Sequence, residues 1–140
     1  MHAGPIALAF AAAYFGAALY SVLVEQPARL SLDDRALVKE WTPSDRRGLA
    51  MLALFALASA IAALIEYRGG GDALWLLGAA FVMASWPYMF FVVVPINNRL
   101  LDASADGAGA RGLIATWGLL EWGQVGLGLV ASAVFVRALG

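Results

Sequence analysis

The chain has no cysteine, which excludes disulfides, thiolate nucleophiles and cysteine-bound metals and leaves the redox compartment open. Its only histidine is His2, near a terminus. Histidine-based metal clusters are thereby excluded, and a Ser-His-Asp triad would have to rest on that one residue. Charge is scarce as well, at 14% of residues against about 25% in an ordinary globular chain. The net charge of -1 argues against a nucleic-acid partner, which would require a basic stripe. What the chain does have is apolar surface, 62% against roughly 45–50% for a globular protein. A chain of 140 residues is one domain on length, and a soluble domain of that size could not hide so much apolar surface. The economical reading is a membrane protein.

The apolar runs predict four spans in one transmembrane domain covering 1–140, at about 5–25, 46–66, 73–95 and 112–137. The first run lacks a basic n-region and is long for a signal peptide, so it reads as a span. Short connections make the expected fold an all-α, up-down-up-down four-helix membrane bundle. From Leu30 to Trp41, the side chains of Leu30, Leu37, Val38 and Trp41 share one helical face. That pattern predicts a short amphipathic interfacial helix in the first loop, with Trp41 at headgroup level. Thr42-Pro43-Ser44-Asp45 then reads as the capped start of the second span. At its other end Glu66-Tyr67-Arg68, Gly69-Gly70-Gly71 and Asp72 read as an ordinary turn. Arg29, Arg35, Lys39, Arg46, Arg47, Arg99 and Arg111 fall on the side of loops one and three, against Arg68 and Arg137 on the other. Loops one and three are therefore expected in the cytoplasm and both termini outside, in a bacterial inner (plasma) membrane.

The third span carries an unusual stretch, Trp86 to Leu101. Pro87 should kink the helix in mid-membrane and Pro95 should end it, close to Asn97, Asn98 and Arg99. Trp86, Phe90, Val93 and Asn97 share a face of this helix, and Tyr14, Ser21 and Glu25 share one on the first. In the fourth span Trp117, Glu121, Gln124 and Gly128 recur at steps of four, three and four. Glu121 lies about two turns inside the apolar run, where an ionisable group costs roughly 2.5–3.5 kcal/mol and should face the bundle interior with a partner. In an up-down bundle Glu25, Arg29, Arg46, Asn97, Arg99, Trp117, Glu121 and Gln124 meet at one membrane face, a plausible pocket for a small lipophilic ligand. Metal binding is disfavoured, because two glutamates without histidine fall short of the di-iron pattern of helical bundles.

At these residues the chain resembles the anthrone oxygenase-like family of small membrane proteins, most of whose members have no assigned function. The resemblance rests on Gly16-Ala17-Ala18-Leu19-Tyr20 running into Glu25-Gln26-Pro27-Ala28-Arg29, on Pro95-Ile96-Asn97-Asn98-Arg99-Leu100-Leu101, and on Trp117-Gly118. It implies a four-helix membrane protein and, from the few characterised relatives, oxidation of an anthrone to an anthraquinone by dioxygen without a cofactor. The resemblance implies that many relatives carry histidine and arginine after the Trp-Gly pair, where this chain has Glu121 and Gln124. If histidine is the catalytic base in those relatives, Glu121 must replace it here.

Two readings of function follow. In the first, Glu121, helped by Glu25, removes an acidic C–H proton from a lipophilic phenolic substrate, and the carbanion reacts directly with dioxygen. Tyr20, Arg29, Tyr88, Asn97, Arg99, Trp117 and Gln124 then bind the substrate and hold its developing oxyanion. No cofactor and no metal are expected. In the second reading the protein is a non-enzymatic lipid or quinone binder, or an accessory subunit packed against a membrane partner. The expected partners are membrane lipid and a lipophilic small molecule, with a homo-oligomer or a membrane partner protein as a further expectation, and no nucleic acid. A proton-coupled transporter fits less well, since four spans and two acids are few for one.

Overall fold

The computed structural model describes residues 2–103 and 109–140. They form four long helices: α1 Gly4–Leu30, α2 Asp34–Arg68, α3 Leu74–Asp102 and α4 Ala110–Leu139. Among the described residues there is no strand. All four are long and apolar enough to cross a bilayer, so the protein is an integral membrane protein with the expected four-helix architecture. Each helix packs on the two beside it in an α1–α2–α3–α4 ring closed by α4 on α1. The first two connections are tight. Asp33 caps α2 by accepting the N–H groups of Arg35 and Ala36 at 3.1 and 2.9 Å. Between α2 and α3 the chain turns at Gly70, whose φ of 100° suits glycine alone, and Asp72 accepts the Leu74 N–H at 2.7 Å.

The helices run well beyond the apolar stretches. With 35 residues, α2 is about 50 Å long against a hydrocarbon layer of about 30 Å, so one end stands clear of the lipid. The amphipathic segment ending at Trp41 is this end, continuous with the second span. Pro43 lies inside α2 and starts nothing. Thr42 is not a cap either, since its hydroxyl donates to the Val38 carbonyl at 2.9 Å. Trp41 faces into the bundle and not toward lipid. It is buried with Leu37 and Val38 against Val93, Leu100, Ile114 and Trp117, because α3 and α4 offer an apolar wall there.

Nor does Pro95 end its helix; α3 continues through it, as α1 continues through Pro27. Both prolines follow a π-helical turn, Ser21–Glu25 in α1 and Met89–Val93 in α3. In each turn a backbone N–H reaches five residues back, Gln26 to Ser21 and Val94 to Met89. The wider turn makes room for the pyrrolidine ring and its missing donor, so the helix bulges where it would otherwise break. Ahead of Pro87 the α-helical pattern of α3 is interrupted at Ala84.

Close approach in the bundle depends on small residues, as membrane helices require. A side chain at Gly78 would put its Cβ 2.3 Å from the Phe135 ring, which itself stacks on Trp75 at 5.4 Å. Ser59 of α2 donates to the Ala7 carbonyl of α1 at 2.8 Å. The turn end does more than connect: Glu66 accepts the Gly4 N–H at 2.8 Å, which supplies a partner for the start of α1.

Candidate functional site

The stripe on α4 faces inward throughout: Trp117, Glu121, Gln124 and Gly128 are all buried. Gly128 leaves room for Tyr14 of α1, since a Cβ there would lie 2.7 Å from its ring. The Tyr14 hydroxyl can then donate to Oε1 of the fully buried Gln124, tying α1 to α4. Tyr14→Phe should cost about 1–2 kcal/mol, because interhelical hydrogen bonds in membranes are individually modest and Gln124 would be left wholly unpartnered. Thermal unfolding in detergent, Tyr14→Phe against wild type, measures it. An unchanged midpoint would rule the bond out as a structural tie.

One helical turn below Glu25, Arg29 is 2% exposed although it carries a full charge. A buried guanidinium needs its donors occupied. Here Nε and Nη2 donate to Glu40 of α2, Nη1 to Gln26 at 3.1 Å, and Nη2 also to Ser44 at 3.2 Å. Glu25 adds an ion pair at 3.7 Å, and the plane sits 5.3 Å from the centre of the Trp117 ring. Trp117 in turn meets Trp41 edge to face at 6.2 Å. Gln26 uses its amide to reach across and donate to the Ile114 carbonyl at 2.8 Å. That reach requires Gly118, where a Cβ would come within 2.4 Å of the same amide. At the loop end Arg111 of α4 pairs with Asp34 at 2.8 Å and donates to the Leu30 and Leu32 carbonyls, fastening the first turn.

Asp45 of α2 and Asn97 of α3 complete the ring, with the Asn97 amide donating to Asp45 at 2.9 Å. Four polar atoms near this level are buried without a full hydrogen bond: Oδ1 of Asp45, Oδ1 of Asn97, Oε1 of Glu121 and the indole N–H of Trp117, which is turned toward the Asp45 carboxyl. Orphaned buried groups of this kind cost of the order of 1–3 kcal/mol each and are rare in native structures, so four together ask for a ligand or water.

A cavity of about 580 Å³ lies among them. From α1 it is lined by Ala17, Tyr20, Ser21 and Glu25, from α2 by Glu40, Asp45 and Gly48 among others, and from α4 by Trp117 and Glu121. Asp45 and Glu121 both face this space, and the Arg29 network with Glu40 and Ser44 lies at its edge. Among the described residues, no three His, Cys, Asp or Glu side chains are grouped as metal ligands.

Of the residues singled out from sequence, the structure therefore brings Glu25, Tyr20, Trp117 and Glu121 to one cavity. Arg29 and Asn97 hold lining residues in place, and Gln124 lies one turn deeper, held by Tyr14. Tyr88 is elsewhere: its hydroxyl donates to the Leu120 carbonyl at 2.7 Å, and its ring fills the space over Gly123. Arg99 is exposed on α3 and does not line the cavity, because the helix that was expected to end at Pro95 continues and carries Arg99 outward. Sequence reasoning missed Asp45, which it took for the first-turn acid of a helix capped by Thr42. The signal was there: Trp41, Asp45, Leu52, Ala56 and Ser59 recur at helical spacing on one face of α2, and Asp45 is the one acid among buried neighbours.

The anthrone oxygenase family model matches residues 41–134, well over half of the chain. The match begins at Trp41 and includes Asp45, Asn97, Trp117 and Glu121. No curated protein and no solved structure matches the chain.

Proposed function

The chain belongs to the anthrone oxygenase family, and we propose that its cavity oxidises a lipophilic phenolic, anthrone-like substrate with dioxygen and without a cofactor. One observation carries this reading: Glu121 presents a buried carboxyl oxygen with no partner in a cavity it shares with Trp117 and the half-buried carboxyl of Asp45. A carboxylate held out of water in this way is suited to act as a general base. Glu121 takes a proton from an activated CH₂ group. The carbanion gives its electron pair to dioxygen with formation of a C–O bond, and the peroxide regains the proton. Loss of the second hydrogen with O–O cleavage leaves a carbonyl and one water, so CH₂ and O₂ become C=O and H₂O. The Trp117 N–H is the donor for the phenolate oxygen as its charge grows. Arg29, whose donors are occupied, acts through its field and by holding the Trp117 ring. Asp45, fixed by Asn97, is a second carboxyl placed to exchange the proton. In this reading the end of the bundle rich in lysine and arginine faces the cytoplasm.

A second reading is a binding protein in which the same orphaned groups hold a lipophilic ligand without turnover; what favours it is the apolar wall of Ala17, Met51 and Leu52 beside those few polar groups. Oxygen uptake by the protein in nanodiscs supplied with anthrone separates the two. The oxygenase gives one anthraquinone per O₂ consumed. Uptake no faster than with denatured protein overturns the oxygenase and leaves the binder.

A further inference from the structure

We propose that the cavity is loaded sideways from the bilayer, through a cleft between α1 and α2, by an amphiphile already dissolved in the membrane. The hydrogen-bonding head of that amphiphile goes to Glu121 and its apolar body lies beside Ala17 and Leu52, inside a portal formed by Tyr20 and Met51. The inference rests on the reading of this cavity as a ligand site and not on catalysis.

Four observations carry it. The cavity wall changes character along its length: Glu25, Glu40 and Ser44 line the end toward the first loop, while Ala17, Tyr20, Met51 and Leu52 line the other. The apolar end lies within the membrane-spanning runs of both helices, yet Tyr20 is 56% and Met51 42% exposed, so the cavity surface continues onto the lipid-facing side. The polar end is crossed by the Arg29 network, which joins α1 to Glu40 and Ser44 of α2 and obstructs that route with charged groups. Finally, Gly48 lines the cavity, and a Cβ there would meet no atom within 4 Å. The space beside it is open, and α2 approaches nothing that needs a glycine at this point. A ligand entering at Tyr20 and Met51 would slide its polar group toward Glu121 and keep its ring system in lipid-like surroundings. This matches the usual pocket, mostly apolar with a few fixed polar groups.

The test is stopped-flow binding of 2-naphthol, a fluorescent amphipathic phenol, to the protein in phospholipid nanodiscs. A portal variant, Met51→Trp, should slow association and dissociation together by at least about tenfold while Kd stays within about threefold, because a gate changes both rates and not the bound state. Arg47→Trp, at the charged end, should leave both rates at the wild-type value. Gly48→Trp should fill the cavity and lower affinity at least about thirtyfold with no loss of thermal stability, since the site is open and leaving glycine favours the helix. Slowing by Arg47→Trp but not by Met51→Trp overturns lateral entry in favour of entry from the loop side. Undiminished binding by Gly48→Trp overturns the cavity as the ligand site. Failure of wild type to bind 2-naphthol overturns the amphiphile class. Because the readout is binding, the expected kinetics would stand even if anthrone oxidation were absent.

Discussion

Glu121→Gln is expected to lower anthrone-dependent oxygen uptake by about 10²–10⁴-fold, the range a positioned general base contributes, while leaving the bundle at least as stable as wild type. The two halves of this result arise from one fact. Glu121 is 4% exposed, and one of its carboxyl oxygens has no partner. Placing a carboxyl there is costly in lipid, and no purely structural need explains an unsatisfied atom. A glutamine has the same shape, cannot take up a proton at neutral pH, and is cheaper to bury. If the residue were interhelical glue, the substitution would remove a bond and lower the unfolding midpoint. If it is a base, activity falls and stability holds or rises, the usual opposition between an active site and the scaffold around it. Oxygen-electrode rates and thermal unfolding on the same preparations decide it. Full activity in the glutamine variant removes Glu121 from the mechanism, and a collapse of both quantities returns it to structure.

The architecture was largely legible because lipid imposes a simple rule: each apolar run long enough to span must be a helix, and short connections make neighbours antiparallel. Runs and turns therefore yielded four helices in order. Local punctuation misled where tertiary structure overrode it. Pro43 and Pro95 read as a helix start and a helix end, yet both lie within helices, and a π-turn ahead of Pro95 absorbs its steric demand. No composition rule signals such a turn. The same error hid Asp45, assigned to the first turn after a Thr42 cap when it belongs to the inward face of a longer α2, and it placed Arg99 in the pocket when the unbroken helix turns that side chain outward. Periodicity on α4 did place Trp117, Glu121 and Gln124 on one inward stripe, since a single long helix leaves no ambiguity of register. It could not show that Gln124 is taken up by Tyr14 of α1, because that pair is 110 residues apart in sequence.

Arg29 carries the second large expected effect, and here stability is the quantity that should fall. Arg29→Ala is expected to cost about 3–5 kcal/mol, the loss found when one member of a buried ion pair is removed. Glu40 and Glu25 are about 40% exposed and can recover hydration, which draws the figure toward the lower end. Gln26 and the face of Trp117, however, lose a partner that water replaces poorly in an apolar bundle. The sharper comparison is Arg29→Lys, which keeps the charge. One planar guanidinium reaches Glu40, Gln26 and Ser44 together while lying over the Trp117 ring. An ammonium is a compact point charge that cannot span those directions. Lysine is therefore expected to recover less than half of the loss, whereas Arg29→Met, which keeps the stem against Trp117 without a charge to bury, should be no worse than lysine. Reversible unfolding of the three variants in mixed micelles gives the ranking. A lysine variant as stable as wild type would show that the site needs only a positive charge. It would remove the argument that Arg29 fixes Trp117, and with it the orientation of the indole in the cavity wall it shares with Glu121.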